Sequence, residues 1–206
     1  MGFSLRVLAA GGSMLVALSL AGAASAAPVT HASAEAAATR SQFHPFTVVS
    51  PDFRDGTFLP VSSEFGGPGS AGSGCSGKNL APTVRWFNVP AGTKSFALTI
   101  NDVDAPFAGG FHHWIVYNIP GAVTALAGHG KNPFSEGTNS YGTIGYGGPC
   151  PPPTFQVHHY IFTVYALTVS HVPGTHITFE KLLSEIAPDV AGATSIIGKF
   201  RLPLGG

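Results

Sequence analysis

The stretch Phe96-Ala97-Leu98-Thr99-Ile100-Asn101-Asp102 sets its larger apolar side chains at even positions until Asp102 breaks the series. This is the period-2 pattern of a strand with one buried face. Tyr160-Ile161-Phe162-Thr163-Val164-Tyr165 repeats it. Working outward, residues 46–49, 84–87, 96–103, 113–119 and 160–169 are short apolar runs in a chain broken by Gly and Pro, and they read as strands. The Gly/Pro loops between them, notably 66–77 and 142–153, are too irregular for the crossover helices that a parallel sheet requires. A mainly β, antiparallel core follows. Near the end, Thr178 is positioned to cap a helix whose Phe179, Leu182, Leu183 and Ile186 share one face, with Pro188 marking its end or a new start. No internal repeat is visible.

Composition narrows the function. The 206 residues carry 10 Lys and Arg against 10 Asp and Glu, so no basic field exists to hold a nucleic-acid backbone. A hydrophobic content of 44% with 15 Phe is enough for a core and argues against disorder.

Residues 1–26 hold one charge, Arg6, then an apolar run from Val7 to Ala23, then Ala24-Ser25-Ala26. This reads as a secretory signal cleaved near Ala26, although the run is almost long enough for a membrane anchor. Residues 27–42, rich in Ala, Thr and Ser, read as a flexible arm, and 43–206 as a single domain. Loss of Arg6 leaves a mature formal charge of 9 − 10 = −1. Cys75 and Cys150 are the only cysteines, an even number suited to a disulfide in an exported chain, while two separate thiols remain the alternative.

Two clusters concentrate the chemistry. In the first, Asp102-Val103-Asp104-Ala105-Pro106 precedes His112-His113-Trp114. If the strand continues, Asp102 and Asp104 share a face. In the second, Tyr146-Gly147-Gly148-Pro149-Cys150-Pro151-Pro152-Pro153 precedes His158-His159-Tyr160, and alternation puts His158 on the face of Tyr160, Phe162 and Val164 with His159 opposite. A pocket is expected where Asp102, Asp104, His113 and His158 converge, backed by Trp114 and Tyr160 and rimmed by the Gly/Pro loop. Protonated histidines and free backbone N–H groups would suit a small anion there. The other reading is that the aspartates cap turns and the histidines are satisfied core residues.

Rival chemistries fare worse on spacing. Adjacent histidines on a strand point to opposite faces, so neither His-His pair can chelate one ion, and no metal or cofactor is expected; His113, His158 and an aspartate are the residual combination. Neither Gly69-Ser70-Ala71-Gly72 nor Gly72-Ser73-Gly74 has the pattern or setting of a nucleophile elbow. Two carboxylates two residues apart do not flank a glycosidic bond, and no phosphate-binding Gly-rich loop with Lys-Ser or Lys-Thr occurs.

The runs Asp102-x-Asp104-Ala105-Pro106, His113-Trp114, Tyr146-Gly147-Gly148-Pro149-x-Pro151-Pro152 and His158-x-Tyr160 resemble, in order and spacing, the two signature regions of the phosphatidylethanolamine-binding protein family. Gly74-Cys75-Ser76-Gly77-Lys78-Asn79-Leu80-Ala81-Pro82 and Thr93-Lys94-Ser95-Phe96-Ala97-Leu98 resemble its bacterial, Raf-kinase-inhibitor-like branch, and the similarity spans about 46–202. The resemblance implies a sandwich of antiparallel sheets with a short C-terminal helical segment and a small cavity for phosphate-like anions or phospholipid head groups. Carried over by motif, its ligand-binding residues are Asp102, Asp104, His113, His158 and Tyr160, with Gly148, Pro149 and Pro151 in the wall. Two departures stand out: Val103 where the family usually has Pro, and His159 where it usually has Arg.

Family members do not share one activity. The expectation is a secreted, non-enzymatic binding module gripping an anionic or phosphorylated small ligand through protonated His113 and His158. The alternative is a protease inhibitor or envelope interaction protein acting through the loops 66–77 and 132–142. A hydrolase using the His/Asp pocket is a third reading.

Overall fold

The computed structural model describes residues 44–66, 74–128, 133–154 and 156–202. The expected signal and arm, residues 1–42, lie outside the described residues, as do most of the 66–77 loop and the start of 132–142. The strands are β1 (Thr47–Val49), β2 (Thr57–Phe58), β3 (Val84–Phe87), β4 (Ser95–Asp102), β5 (Phe111–Pro120), β6 (Ala125–Leu126), β7 (Ser135–Glu136), β8 (His158–Leu167) and β9 (Val190–Phe200), with one helix, α1 (Phe179–Ile186). They form a three-stranded sheet, β1-β3-β6, and a six-stranded sheet, β2-β9-β8-β4-β5-β7. All pairings among these strands are antiparallel except the two-residue contact of β2 with β9.

Between the sheets, Phe96, Leu98 and Ile100 of β4 pack with Trp86, Trp114, Val116, Phe162 and Val164. Each such side chain gains about 2 kcal/mol from leaving water. The single buried face expected for β4 is corrected here, because every residue from Ser95 to Ile100 is buried. Ala97 meets a second core with Ile115, Tyr117, Leu167, Leu182 and Ile186, so the other face of the large sheet is covered by α1 and the 168–177 segment. Thr178 caps α1 as expected, its Oγ1 accepting from the Lys181 N–H at 3.3 Å.

The longest strand, β9, gave no strand signal in the sequence. Ala191-Gly192-Ala193-Thr194-Ser195 lacks large apolar residues, and two glycines weaken the pattern. Tertiary contact explains one of them: a Cβ on Gly198 would stand 2.3 Å from Leu59 Cδ2. The strand forms because β8 offers a full antiparallel edge from His158 to Leu167.

Cys75 and Cys150 are disulfide-bonded, with a Cα separation of 5.9 Å across 75 residues. Closing a loop of that length disfavours the unfolded chain by about 4 kcal/mol in the chain-entropy account.

Candidate functional site

At the end of the large sheet where β4 stops and β5 and β8 start, a cavity of about 260 Å³ is lined by Asp102, His113 and His158, and by Phe107, Phe111, Tyr141, Pro151 and Pro152. Among the described residues no Lys or Arg lines it. Strand β4 ends at Asp102 because its Oδ1 accepts the Asp104 N–H at 3.0 Å, a side-chain turn that bends the chain off the sheet. Val103, with the backbone N–H that a proline would lack, fastens this turn by donating to the His159 carbonyl at 3.2 Å.

The turn corrects one expectation. Asp104 does not share the Asp102 face and does not line the cavity, since the two-residue period holds only while the chain stays extended. Its Oδ2 instead accepts from the His159 backbone N–H at 2.6 Å and lies 2.7 Å from His159 Nδ1. Burial would raise the Asp104 carboxyl, but the His159 bonds and charge outweigh it and hold the group below the usual carboxylate range. Asp102 Oδ2 stands 2.7 Å from His158 Nδ1, both side chains 5% exposed. Alternation along β8 places His158 inward and His159 outward, as the sequence pattern had it.

His113 reaches the cavity through a bulge. Ile100 faces Trp114 but Asn101 faces His112, so β5 carries His113 as an extra residue, and the ring turns to the side of Tyr160 and Phe111, with centroids 5.1 and 5.0 Å away. Its Nδ1 lies 2.6 Å from the Gly147 carbonyl oxygen, which can only accept, so Nδ1 carries the hydrogen. Burial pushes the ring's pKa down to about 4, against partial support from that carbonyl and Asp102. The expectation of a protonated His113 is therefore corrected: at neutral pH it is an uncharged imidazole whose Nε2 is a buried acceptor without a partner.

Tyr160, Gly148 and Pro149 stand behind the surface of the cavity rather than on it. Tyr160 is 1% exposed. Its hydroxyl lies in the field of Asp102 without a hydrogen bond of ordinary geometry, and burial and that charge push its ionisation far up. Gly148 is required by close packing, because a Cβ would sit 2.0 Å from the Ser63 carbonyl oxygen. The wall is further tied down by Phe65 N–H to Pro149 O (2.9 Å), Gly148 N–H to Asn79 Oδ1 (2.7 Å) and the disulfide at Cys150.

The sequence reading missed Phe107, Phe111 and Tyr141. Phe107 is 61% exposed, beside Pro106 of the first motif. Tyr141 carries no motif; it is placed by Asn139, whose Oδ1 accepts from the N–H groups of Tyr141 and Thr143 while Nδ2 donates to Gly145 O. Tyr141 then stacks on Phe65 with centroids 4.1 Å apart.

His112 points the other way. Its ring stacks on Phe179 with centroids 4.0 Å apart, and Nδ1 and Nε2 each lie 2.9 Å from an oxygen, Asn101 Oδ1 and Glu180 Oε1. Asn101 uses its amide nitrogen on the Gly109 carbonyl, so its Oδ1 and the Glu180 carboxylate hold the His112 ring between them. Among the described residues no three His, Cys, Asp or Glu side chains gather as a metal-binding group.

Comparison with known proteins agrees with this architecture. The family model described as phosphatidylethanolamine-binding protein matches residues 49–201. The protein YbcL of Escherichia coli K12 is 43% identical over 136 residues, covering 62% of this chain and 72% of YbcL. A Mycobacterium tuberculosis H37Rv protein named as lipoprotein LppC is 36% identical over 158 residues, 76% of this chain and 72% of its own. The crystal structure of E. coli YbcL, described as a member of the mammalian PEBP family, superposes with a TM-score of 0.69 at 34% identity, covering 76% of this chain and 98% of YbcL.

Proposed function

The chain belongs to the phosphatidylethanolamine-binding protein family, and from that premise we propose that it is a non-enzymatic binding protein whose cavity accepts a small anionic group, such as the phosphate of a phosphorylated metabolite or phospholipid head group. The observation that carries the reading is the buried Asp102–His158 pair at the cavity, set beside His113 in a wall held by hydrogen bonds and a disulfide. Asp102 fixes the His158 ring through Nδ1 and leaves Nε2 as the nitrogen available to a guest oxygen. Among the described lining residues no nucleophile is positioned against a base, which supports binding over catalysis.

Two observations support a place outside the cytoplasm: the Cys75–Cys150 disulfide, and a relative named as a lipoprotein. Export by a cleaved signal at residues 1–26, and modulation of a partner protein, belong to the same proposal. Calorimetry with phosphoethanolamine at mildly acid pH tests the binding function. Wild-type protein should bind, and His158→Ala should lose at least about tenfold in affinity, the scale of one charge-assisted hydrogen bond. Undiminished binding by His158→Ala would refute the assignment.

A further inference from the structure

The two edges of the six-stranded sheet are finished differently. At one, β7 is two residues long and carries the charge of Glu136. At the other, β9 runs for 11 residues, and the 55–59 segment covers only its C-terminal part. There Gly56 N–H donates to Ile197 O at 2.7 Å, Leu59 N–H to Lys199 O at 2.8 Å, and Ile197 N–H to Asp55 Oδ1 at 2.8 Å. These bonds reveal which backbone groups of β9 point outward. Its odd-numbered residues turn N–H and C=O away from β8, which agrees with β8 itself, where the His159 carbonyl faces the other way and accepts from Val103. Ala193 and Ser195 have the same parity as Ile197, and among the described residues no main-chain hydrogen bond meets them on that side. Every residue from Val190 to Ser195 is exposed or half-buried. The run Val190-Ala191-Gly192-Ala193-Thr194-Ser195 holds no charge and no proline, the devices that ordinarily close such an edge to another chain.

We propose that this open segment of β9 pairs with the same segment of a second copy of the chain, antiparallel about a two-fold axis at Ala193, so that the large sheets of two molecules become continuous. The backbone supplies the attraction. With Ala193 opposite its own copy and Ser195 opposite Ala191 of the other, about four to six inter-chain hydrogen bonds form. The side chains at this contact are small and uncharged, so two strands can approach to the spacing of a sheet without steric or like-charge conflict. Charge at the ends favours a second copy over an unrelated strand. Asp189 precedes β9 at one end, while Arg54 and Lys199 flank the other, where Asp55 is turned onto the Ile197 N–H. Antiparallel pairing brings the acidic end of each copy to the basic end of its mate, whereas parallel pairing would set like against like. A two-fold contact also closes on itself, so neither β9 edge is left open to further growth.

Sedimentation equilibrium of the intact, disulfide-bonded protein reads the association. The average mass should climb toward twice that of one chain by roughly 100 μM, the range expected of a small interface. Ala193→Pro removes the central N–H from both copies and should weaken pairing at least about tenfold. Because that N–H faces away from β8, the fold has no use for it, and unchanged circular dichroism and melting check this. Ala193→Lys and Ala193→Glu each set like charges face to face at the axis and should weaken pairing about fivefold. An equimolar mixture of these two should restore it, because lysine then meets glutamate. The exposed Ala193 side chain leaves room for either charge within one chain. A wild-type protein that stays monomeric at the highest concentration would overturn the proposal. So would a dimer that survives Ala193→Pro, or a mixture of the two charged variants that pairs no better than either alone.

Discussion

Two His-His dipeptides, 112–113 and 158–159, open the strands that flank β4, and within each the two rings have different work. The inner rings, His113 and His158, line the cavity and are 2% and 4% exposed. The outer rings, His112 and His159, leave it and anchor surroundings: His112 ties β5 to Glu180 in the first turn of α1, and His159 ties β8 to the turn at Asp104. The partner sets the chemistry of each ring. A backbone carbonyl and burial keep His113 neutral, a buried carboxylate orients His158, and the outer rings face carboxylates nearer the surface. A histidine's role here follows from the atom opposite its Nδ1 and from its access to water, neither of which its neighbour in sequence reveals.

The contrast breaks most sharply at the carboxylates. Asp102→Ala would strip the buried partner from His158 and remove the acceptor of the Asp104 turn, costing about 3 kcal/mol, whereas Asp104→Ala, on a pair 40% and 30% exposed, would cost less than about 1 kcal/mol. Urea unfolding of the two variants should separate inner from outer, and equal losses would erase the distinction.

Acid sharpens it next. His113 is depressed to about 4 in the folded chain, while its unfolded value is 6.5. The unfolded state therefore binds the proton first, so stability begins to fall as pH drops through 6.5, and the loss is complete by about 4. Its size is on the order of 3 kcal/mol. His113→Gln should flatten the stability profile over that window. A variant that still loses stability there in parallel with wild type would show that another group carries the effect.

The smallest effect is expected at the helix. Glu180 has a side chain 69% exposed, so Glu180→Gln should cost less than about 1 kcal/mol. Hydrogen exchange should nevertheless quicken in the first turn of α1 and leave the cavity wall unchanged, unless the outer ring also supports the site.

Parts of this arrangement were legible beforehand for a local reason. Alternation along β8 depends only on the extended backbone, so His158 could be placed inward and His159 outward from the pattern of apolar neighbours alone. The same reasoning failed at Asp104, where the Asp102 side chain replaces the ladder and turns the chain. His113 was placed at the cavity by its motif rather than by alternation, since a bulge brings it to the core side together with Trp114. Tyr141 and β9 were illegible because each is held by distant partners, Phe65 in one case and the edge of β8 in the other.

By itself the sequence determined the family, the β class, the capped helix and the gathering of Asp102, His113 and His158, because periodicity, caps and motif spacing are local properties of the chain. Only the tertiary structure decided that Asp104 faces away, that both faces of β4 are covered, and that His113 is an uncharged acceptor. Those outcomes depend on which group from elsewhere in the chain meets each side chain and on how completely water is excluded there, and both are fixed only when the sheets close.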